Sequence, residues 1–229
     1  QLYLLERLNE FSYASSFRSF SLVTNSIKAS NAASKDSSFD SFPEEMRRLH
    51  ITELLEYGKG LCKSAQEFYN VPSEIRRYRR RIFQHIKKAV VGKSDRSLVV
   101  IGSSGSGLAG VTSDFDLLLL TSSDPKVRKK TDLILSKPIG FRKYMLELIR
   151  RIKFYCGDEF FWGSTQIVEN ARVPILVLKT VKELKIEIQL NSEQSLRNTL
   201  FLRNVAKKDP RVAMLIFWAK QWLSTLRLK

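Results

Sequence analysis

One stretch of the chain constrains the fold and the chemistry more than any other. It begins with residues 98–101, an apolar run rich in β-branched side chains, which predicts a short buried strand. Glycines then recur over residues 102–110 at four positions: Gly102, Gly105, Gly107 and Gly110. Because glycine lacks a Cβ, such a segment disfavours continuation as strand or helix and lets the backbone approach a ligand closely. We therefore expect a loop that cradles a bound group.

Two aspartates follow that loop on a second apolar segment, which is predicted to be a strand. Side chains alternate between the faces of a strand, so Asp114 and Asp116 point the same way while Phe115 points into the core. Two neighbouring carboxylates stay ionised together only with a cation between them, and Mg²⁺ or Mn²⁺ with oxygen ligands meets this need and also holds phosphate. The Gly/Ser segment can supply N–H groups and hydroxyls to that phosphate. The stretch predicts metal-assisted chemistry on a nucleotide; a surface loop with two solvated acids is the simpler alternative.

Composition narrows the class of protein. The 229 residues carry a formal net charge of +16, which favours a polyanionic partner; with a nucleotide site, nucleic acid is a better match than an anionic membrane or a ribosome. Two cysteines and two histidines offer no disulfide framework and no zinc spacing, and they fit a reducing compartment, so we expect a cytoplasmic protein, with mitochondrial and nuclear locations as alternatives. No apolar run approaches the ~20 residues of a membrane helix, so no membrane partner is expected.

Periodicity divides the chain into three parts. Residues 1–43 are rich in serine and predict a poorly ordered arm or linker. Residues 71–190 predict an α+β catalytic domain with a mixed sheet and flanking helices, and residues 44–70 and 191–229 predict a partial helical domain beside it. The helix predicted from Ser73 to about Val91 has a basic face, and a basic loop is expected after Pro125. Candidate RNA-binding cations in these segments are Arg76, Arg77, Arg80, Lys126, Arg128, Lys129 and Lys130, with Arg79 placed on the same basic face.

The pattern Gly102-Ser103, Gly107, Ser113-Asp114-x-Asp116 resembles the signature of the polymerase-β-like nucleotidyltransferases. Its spacing is most similar to the non-canonical poly(A) polymerases and terminal uridylyltransferases. Four later segments also resemble that family, in the family's order: 172–175, 196–202, 209–211 and 219–222. The resemblance implies template-independent transfer of AMP or UMP from ATP or UTP to the 3′ end of RNA, by two-metal catalysis with Mg²⁺ or Mn²⁺. A protein partner that supplies RNA specificity is also an expectation.

The resemblance assigns roles residue by residue. Asp114, Asp116 and Glu187 match the three metal-binding acids, with Glu187 assisting deprotonation of the attacking hydroxyl. Gly102, Ser103 and Ser113 match the nucleotide-binding loop, and Lys220 matches a lysine that binds the triphosphate. Asn198 and Thr199 match the pair that contacts the ribose, and Ser195 matches the small residue that borders the nucleotide.

Three positions depart from the family pattern. Glu187 stands where the family has aspartate, and Val177 and Ser224 stand where lysines are expected. Glu187 has a simpler alternative role, an ion pair at the surface with Lys185 or Arg197. These departures leave open a second hypothesis, a catalytically weak or inactive relative that acts as a scaffold for RNA or protein. A small-molecule nucleotidyltransferase is a third, which the segments 196–202 and 219–222 disfavour.

Overall fold

A five-stranded sheet forms the centre of the computed structural model, which describes residues 71–92 and 94–225 and the single positions 53, 56, 58–60, 63 and 67. The strands are β1 (Ser97–Val100), β2 (Phe115–Leu120), β3 (Gln166–Val168), β4 (Ile175–Lys179) and β5 (Lys185–Leu190), in the order β1-β2-β5-β4-β3. The β2–β5 pair is parallel and the other neighbours are antiparallel. This confirms the predicted mixed sheet and adds β3, which the sequence pattern did not indicate.

The helices after residue 71 are numbered in chain order. They are α1 (Ser73–Val90), α2 (Gly102–Ser106), α3 (Pro125–Leu135), α4 (Pro138–Cys156), α5 (Glu193–Lys208) and α6 (Pro210–Thr225), with 3₁₀ turns at Gly157–Glu159 and Trp162–Ser164. Positions 53, 56, 58–60, 63 and 67 are helical, within a segment predicted to be helical. The arm predicted over residues 1–43 lies outside the described residues.

One face of the sheet is covered by α1 and α4. The alternation along β2 and β5 places Phe115, Leu117, Ile186 and Ile188 on this face, and each is at most 1% exposed. The apolar sides of α1 and α4 pack on them in one continuous core. Burial of each such side chain contributes about 1.5–3 kcal/mol, so this face holds the fold together.

The opposite face is only partly covered. Ile101, Leu118 and Leu120 form a small second core there, with Leu196 of α5 packed against it. The residues of β2 and β5 that share this face but precede Leu118 and Gln189 are polar. The carboxylates therefore lie on the face that the large core does not use.

Two segments expected to be loops are helical. The glycine-rich segment forms the single-turn helix α2, in which Gly105 N–H donates to Ile101 C=O at 2.9 Å, and Gly107 ends the turn at φ +82°. The basic loop is helix α3, because Asp124 caps it by accepting from Lys126 N–H at 2.8 Å and a proline occupies its first turn. The prediction of loops at both places was wrong.

Strand β4 is shorter than predicted. The sequence indicates a strand over residues 171–178, whereas the structure begins it at Ile175. Residues 171–173 form bends, and Pro174 has no N–H to give to a neighbouring strand. Residues 172–174 therefore lead into the strand, and only Ile175 of the segment 172–175 belongs to it.

The chain divides into two compact units. Among the described residues, 71–204 belong to the first unit and 205–225 to the second, so α5 passes from one to the other. In the second unit Phe217 is 2% exposed, and the rings of Trp218 and Trp222 stack with centroids 6.0 Å apart. No helix within the described residues is both long and apolar enough to cross a membrane.

Candidate active site

The carboxylates on β2 and β5 are neighbours across the parallel strand pair. Asp116 lies in register with Glu187, and Asp114 immediately precedes β2 on the same side. Adjacent strands are about 4.8 Å apart, so the two in-register acids stand side by side. The side chains of Asp114 and Glu187 are 46% and 21% exposed, whereas Phe115 is buried at 1% on the other face. The predicted orientation of this strand is confirmed.

Gly102 brings the turn of α2 directly against Asp116. Its φ is +62°, and a Cβ on this residue would lie 2.0 Å from Asp116 Oδ2. Ile101 N–H donates to Asp116 C=O at 2.9 Å, which fixes the turn to the strand. Only glycine fits this position, both for its backbone conformation and for the space beside the carboxylate.

Thr199 of α5 holds the same turn from the other side. Gly102 N–H donates to Thr199 Oγ1 at 3.0 Å, and the hydroxyl donates to Ser195 C=O at 2.7 Å. A Cβ on Gly105 would lie 2.8 Å from Thr199 Cγ2 and 2.5 Å from Val100 O, so this contact is also close. Thr199 is 3% exposed, which differs from the expectation that it faces a ribose. In this structure its hydroxyl positions the turn.

The ammonium of Lys185 lies between two of the acids. Lys185 Nζ is 3.2 Å from Asp114 Oδ2 and 2.6 Å from Glu187 Oε1. The hydrogen bond to Glu187 is the largest cause that raises the pKa of Lys185, and Asp114 adds to it. The surface pair of Glu187 with Lys185 is thus present, while Arg197 pairs with Glu193 at 3.5 Å.

This donor set fits a hard divalent cation. In residues 71–92 and 94–225 no group of three or more His, Cys, Asp or Glu side chains is arranged as a metal cluster. The carboxylate oxygens are nevertheless the ligands that Mg²⁺ and Mn²⁺ prefer, and the Lys185 ammonium stands in for a cation between Asp114 and Glu187.

Comparison with known protein families shows to which family this chain belongs. Residues 60–207, more than half of the chain, match the family described as poly(A) RNA polymerase, mitochondrial-like, central palm domain. The chain belongs to this family. The suspected resemblance to non-canonical nucleotidyltransferases is confirmed.

Curated relatives of the palm domain are similar over part of their length. Poly(A) RNA polymerase GLD2 of Homo sapiens is 28% identical over 131 residues, covering 56% of this chain and 25% of GLD2. Terminal uridylyltransferase cid1 of Schizosaccharomyces pombe is 28% identical over 193 residues, covering 77% of this chain and 42% of cid1. The chain thus spans between a quarter and a half of the length of these relatives.

Solved structures agree on the fold. A structure of Cid1, described in relation to its RNA terminal uridylyl transferase activity, aligns with TM-score 0.53 at 23% identity, covering 74% of this chain and 47% of that one. GLD-2 in its complex with RNP-8 aligns with TM-score 0.54 at 20% identity, covering 71% and 59%. The predicted α+β nucleotidyltransferase fold is confirmed.

A buried arginine supports the loop that leads to Asp114. Arg79 of α1 is 1% exposed, and its Nη2 donates to the carbonyls of Gly110, Val111 and Ser113 at 3.0, 3.0 and 2.9 Å. Ser113 Oγ accepts from Gly110 N–H at 2.9 Å within the same loop. The placement of Arg79 on a solvated basic face was wrong, and Ser113 shapes the loop through its backbone and its hydroxyl.

Replacing Arg79 by methionine tests this support. Met retains most of the side-chain volume but leaves three loop carbonyls without their donor, so we expect the free energy of unfolding to fall by about 1–3 kcal/mol. Urea denaturation of Arg79→Met beside the exposed neighbour Arg80→Met measures it. An equal effect of the two substitutions would contradict a structural role for Arg79.

The other residues that are predicted to bind the nucleotide lie in three different environments. Ser195 Oγ donates to Gln189 Oε1 at 2.7 Å, which ties α5 to the carboxylate face of β5, and Ser103 is partly exposed at the start of α2. Asn198 is exposed, and its Oδ1 accepts from Gln194 Nε2 at 2.9 Å. Lys220 lies on α6 in the second unit, and its role at the triphosphate stays a prediction.

The predicted RNA-binding cations do not share one face with the acids. α1 packs on the face opposite the carboxylates, so its outward residues Arg76, Arg77 and Arg80 point away from them. α3 follows the far end of β2, and its Lys126, Lys129 and Lys130 are exposed there. The fourth predicted cation of α3 is Arg128, whose side chain is only 12% exposed. It donates to Ser122 C=O at 3.1 Å and pairs with Glu193 at 3.5 Å.

Proposed function

We propose that the protein transfers AMP or UMP, without a template, from a nucleoside triphosphate to the 3′ end of RNA. The observation that carries this proposal is the pairing of Asp116 with Glu187 across β2 and β5, with the Gly102 backbone packed against the Asp116 carboxylate. The turn thus lies against the acids so closely that no side chain fits between its backbone and Asp116. Membership of the palm-domain family supports the same reaction.

The acids of the site would hold two divalent cations, Mg²⁺ or Mn²⁺. When bound, such a pair stabilises the attacking and leaving oxygens of an in-line displacement at phosphorus. Asp114, Asp116 and Glu187 would hold the ions, and Glu187 would assist deprotonation of the terminal RNA hydroxyl. Gly102 and Ser103 would orient the triphosphate tail through the turn of α2, which Thr199 fixes in place.

The positive charge of the chain supports RNA as the acceptor. The net charge is +16; five of the seven predicted RNA-binding cations on α1 and α3 are exposed, and Arg76 and Arg128 are partly exposed. Since α1 and α3 do not border the carboxylates, we propose that these cations bind the phosphates of the RNA body rather than its 3′ end. GLD-2, a protein of the same fold, forms a complex with RNP-8, so a protein partner that selects the RNA is part of the proposal.

One assay tests the reaction. A 5′-labelled oligoribonucleotide is incubated with the protein, Mg²⁺ and each of the four nucleoside triphosphates separately. We expect extension with ATP, UTP or both and none with EDTA. Equal extension in EDTA, or transfer to a small acceptor without RNA, would contradict the proposal.

Substitutions of Glu187 test whether the third acid limits the rate of RNA extension. Aspartate at this position is one methylene shorter and matches the family's acid, and a misplacement of ~1 Å costs about 10²-fold in rate. We therefore expect Glu187→Asp to extend RNA faster, by up to about 10²-fold, and Glu187→Gln to lose activity. If Glu187→Asp fell to the level of Glu187→Gln, the site would be built around the longer side chain.

Specific observations also support a second function. Lys185 neutralises Asp114 and Glu187, and Val177 and Ser224 lack the charge of the lysines that the family has there. These features favour a scaffold that binds RNA or protein without catalysis. RNA binding without nucleotide binding, in the same preparation, would select this alternative.

A further inference from the structure

Lys185 occupies the place of a cation inside the carboxylate site. Its ammonium contacts Asp114 Oδ2 at 3.2 Å and Glu187 Oε1 at 2.6 Å, so oxygens from the two sides of the β2–β5 pair converge on one positive charge. The lysine itself belongs to β5, two residues before Glu187 and on the same face of the strand. The same oxygens are among those that a divalent ion would use.

An ammonium and a divalent ion compete for these oxygens. Mg²⁺ lies 2.0–2.1 Å from its oxygen ligands, so an ion held by Asp114 and Glu187 would stand within a few ångströms of the present Lys185 Nζ. Two cations that close repel each other, so a divalent ion binds more favourably when the ammonium moves away. The Lys185 side chain is 46% exposed, so its ammonium has a path into solvent.

We infer that Lys185 is an internal counter-ion that holds Asp114 and Glu187 together without metal and competes with the divalent ion for them. This inference rests on the metal site of the proposed function. It follows that the site is assembled before metal arrives, because the ammonium offsets the repulsion between the acids. It also follows that a metal ion at Asp114 and Glu187 binds more weakly than the acids alone would allow, since it competes with the lysine.

Mn²⁺ binding without nucleotide or RNA tests the competition. Free Mn²⁺ is measured by electron paramagnetic resonance during titration of the wild type, Lys185→Met, Lys185→Arg and the control Lys182→Met. Lys182 is exposed in the β4–β5 turn, where its ammonium lies 5.1 Å from the Tyr78 ring centre, so its loss changes the net charge equally without touching the acids.

The Mn²⁺ affinities of the variants are expected to depend on whether residue 185 carries a positive charge. Lys185→Met should lower the Mn²⁺ dissociation constant by about five- to tenfold, because it removes two exposed ion pairs worth up to about fivefold each. Lys185→Arg should bind Mn²⁺ no tighter than the wild type, and Lys182→Met should stay within about twofold of it, because an exposed charge outside the site is largely screened.

A second readout does not depend on affinity. In EDTA, Lys185→Met should unfold at a lower temperature than Lys182→Met, because two carboxylates lose their counter-ion, and Mn²⁺ should raise its unfolding temperature more than that of the wild type. Equal or weaker Mn²⁺ binding by folded Lys185→Met would overturn the inference and leave the proposed function intact. Absence of Mn²⁺ binding in all four proteins would overturn the metal site and the inference together.

Discussion

The double variant Asp114→Asn, Asp116→Asn is expected to lose RNA extension by at least about 10³-fold, because a bound metal contributes several kcal/mol of transition-state stabilisation and each 1.36 kcal/mol is tenfold in rate. The amides keep the shape of the side chains but cannot hold two divalent cations. Both positions are partly exposed, so the fold should survive the change. Extension of a labelled RNA at saturating triphosphate gives the rate, and circular dichroism with thermal unfolding verifies the fold.

The matched control for this double variant is Asp158→Asn, in the exposed 3₁₀ turn after α4. It changes the same type of side chain away from the sheet and should extend RNA at the wild-type rate. Undiminished extension by the Asp114, Asp116 variant would contradict the mechanism. A loss in the control as large as in the double variant would show that the assay reports a general effect of surface charge.

Gly102→Ala is expected to reduce extension by about 10²-fold or more, because a displacement of ~1 Å in the turn or the carboxylate misplaces the reacting groups. The added Cβ would stand 2.0 Å from Asp116 Oδ2, and the residue has φ +62°. Alanine must therefore move the turn, move Asp116, or break the bond from the Gly102 N–H to Thr199. Extension rate and urea denaturation should both be measured.

Gly107→Ala separates the effect of backbone strain from the effect of a contact with Asp116. Gly107 also has a positive φ, +82°, but nothing lies within 4 Å of the Cβ that it would gain. It should lose about 1–2 kcal/mol of stability from backbone strain alone and retain most of its activity. If Gly102→Ala and Gly107→Ala lost activity equally, contact with Asp116 would not be what makes glycine necessary at position 102.

The strands that carry the acids could be predicted from the sequence. Alternation of charged and apolar residues in 185–190 fixes which side of β5 faces the core, and the same rule orients Asp114 and Asp116 about Phe115. Which strands pair was not readable, because the register of Asp116 with Glu187 depends on contacts between segments some seventy residues apart.

Two other features have a signal in the sequence. Arg79 lies four residues after Ile75 and three before Ile82, so helical spacing places it on the apolar side of α1 despite its charge. Asp124 followed by Pro125 is a helix start rather than a loop. The position of the Lys185 ammonium between Asp114 and Glu187 had no such signal, because spacing gives the face of a side chain and not the contacts of its end.

Titration of nucleoside triphosphate into the protein, with and without Mg²⁺, tests the central claim most directly. The wild type is expected to bind ATP or UTP with Mg²⁺, and removal of Mg²⁺ or the change Asp116→Asn is expected to abolish this binding. Nucleotide binding that ignores both Mg²⁺ and Asp116, or RNA binding with no nucleotide binding at all, would contradict a carboxylate site built to hold metal and triphosphate.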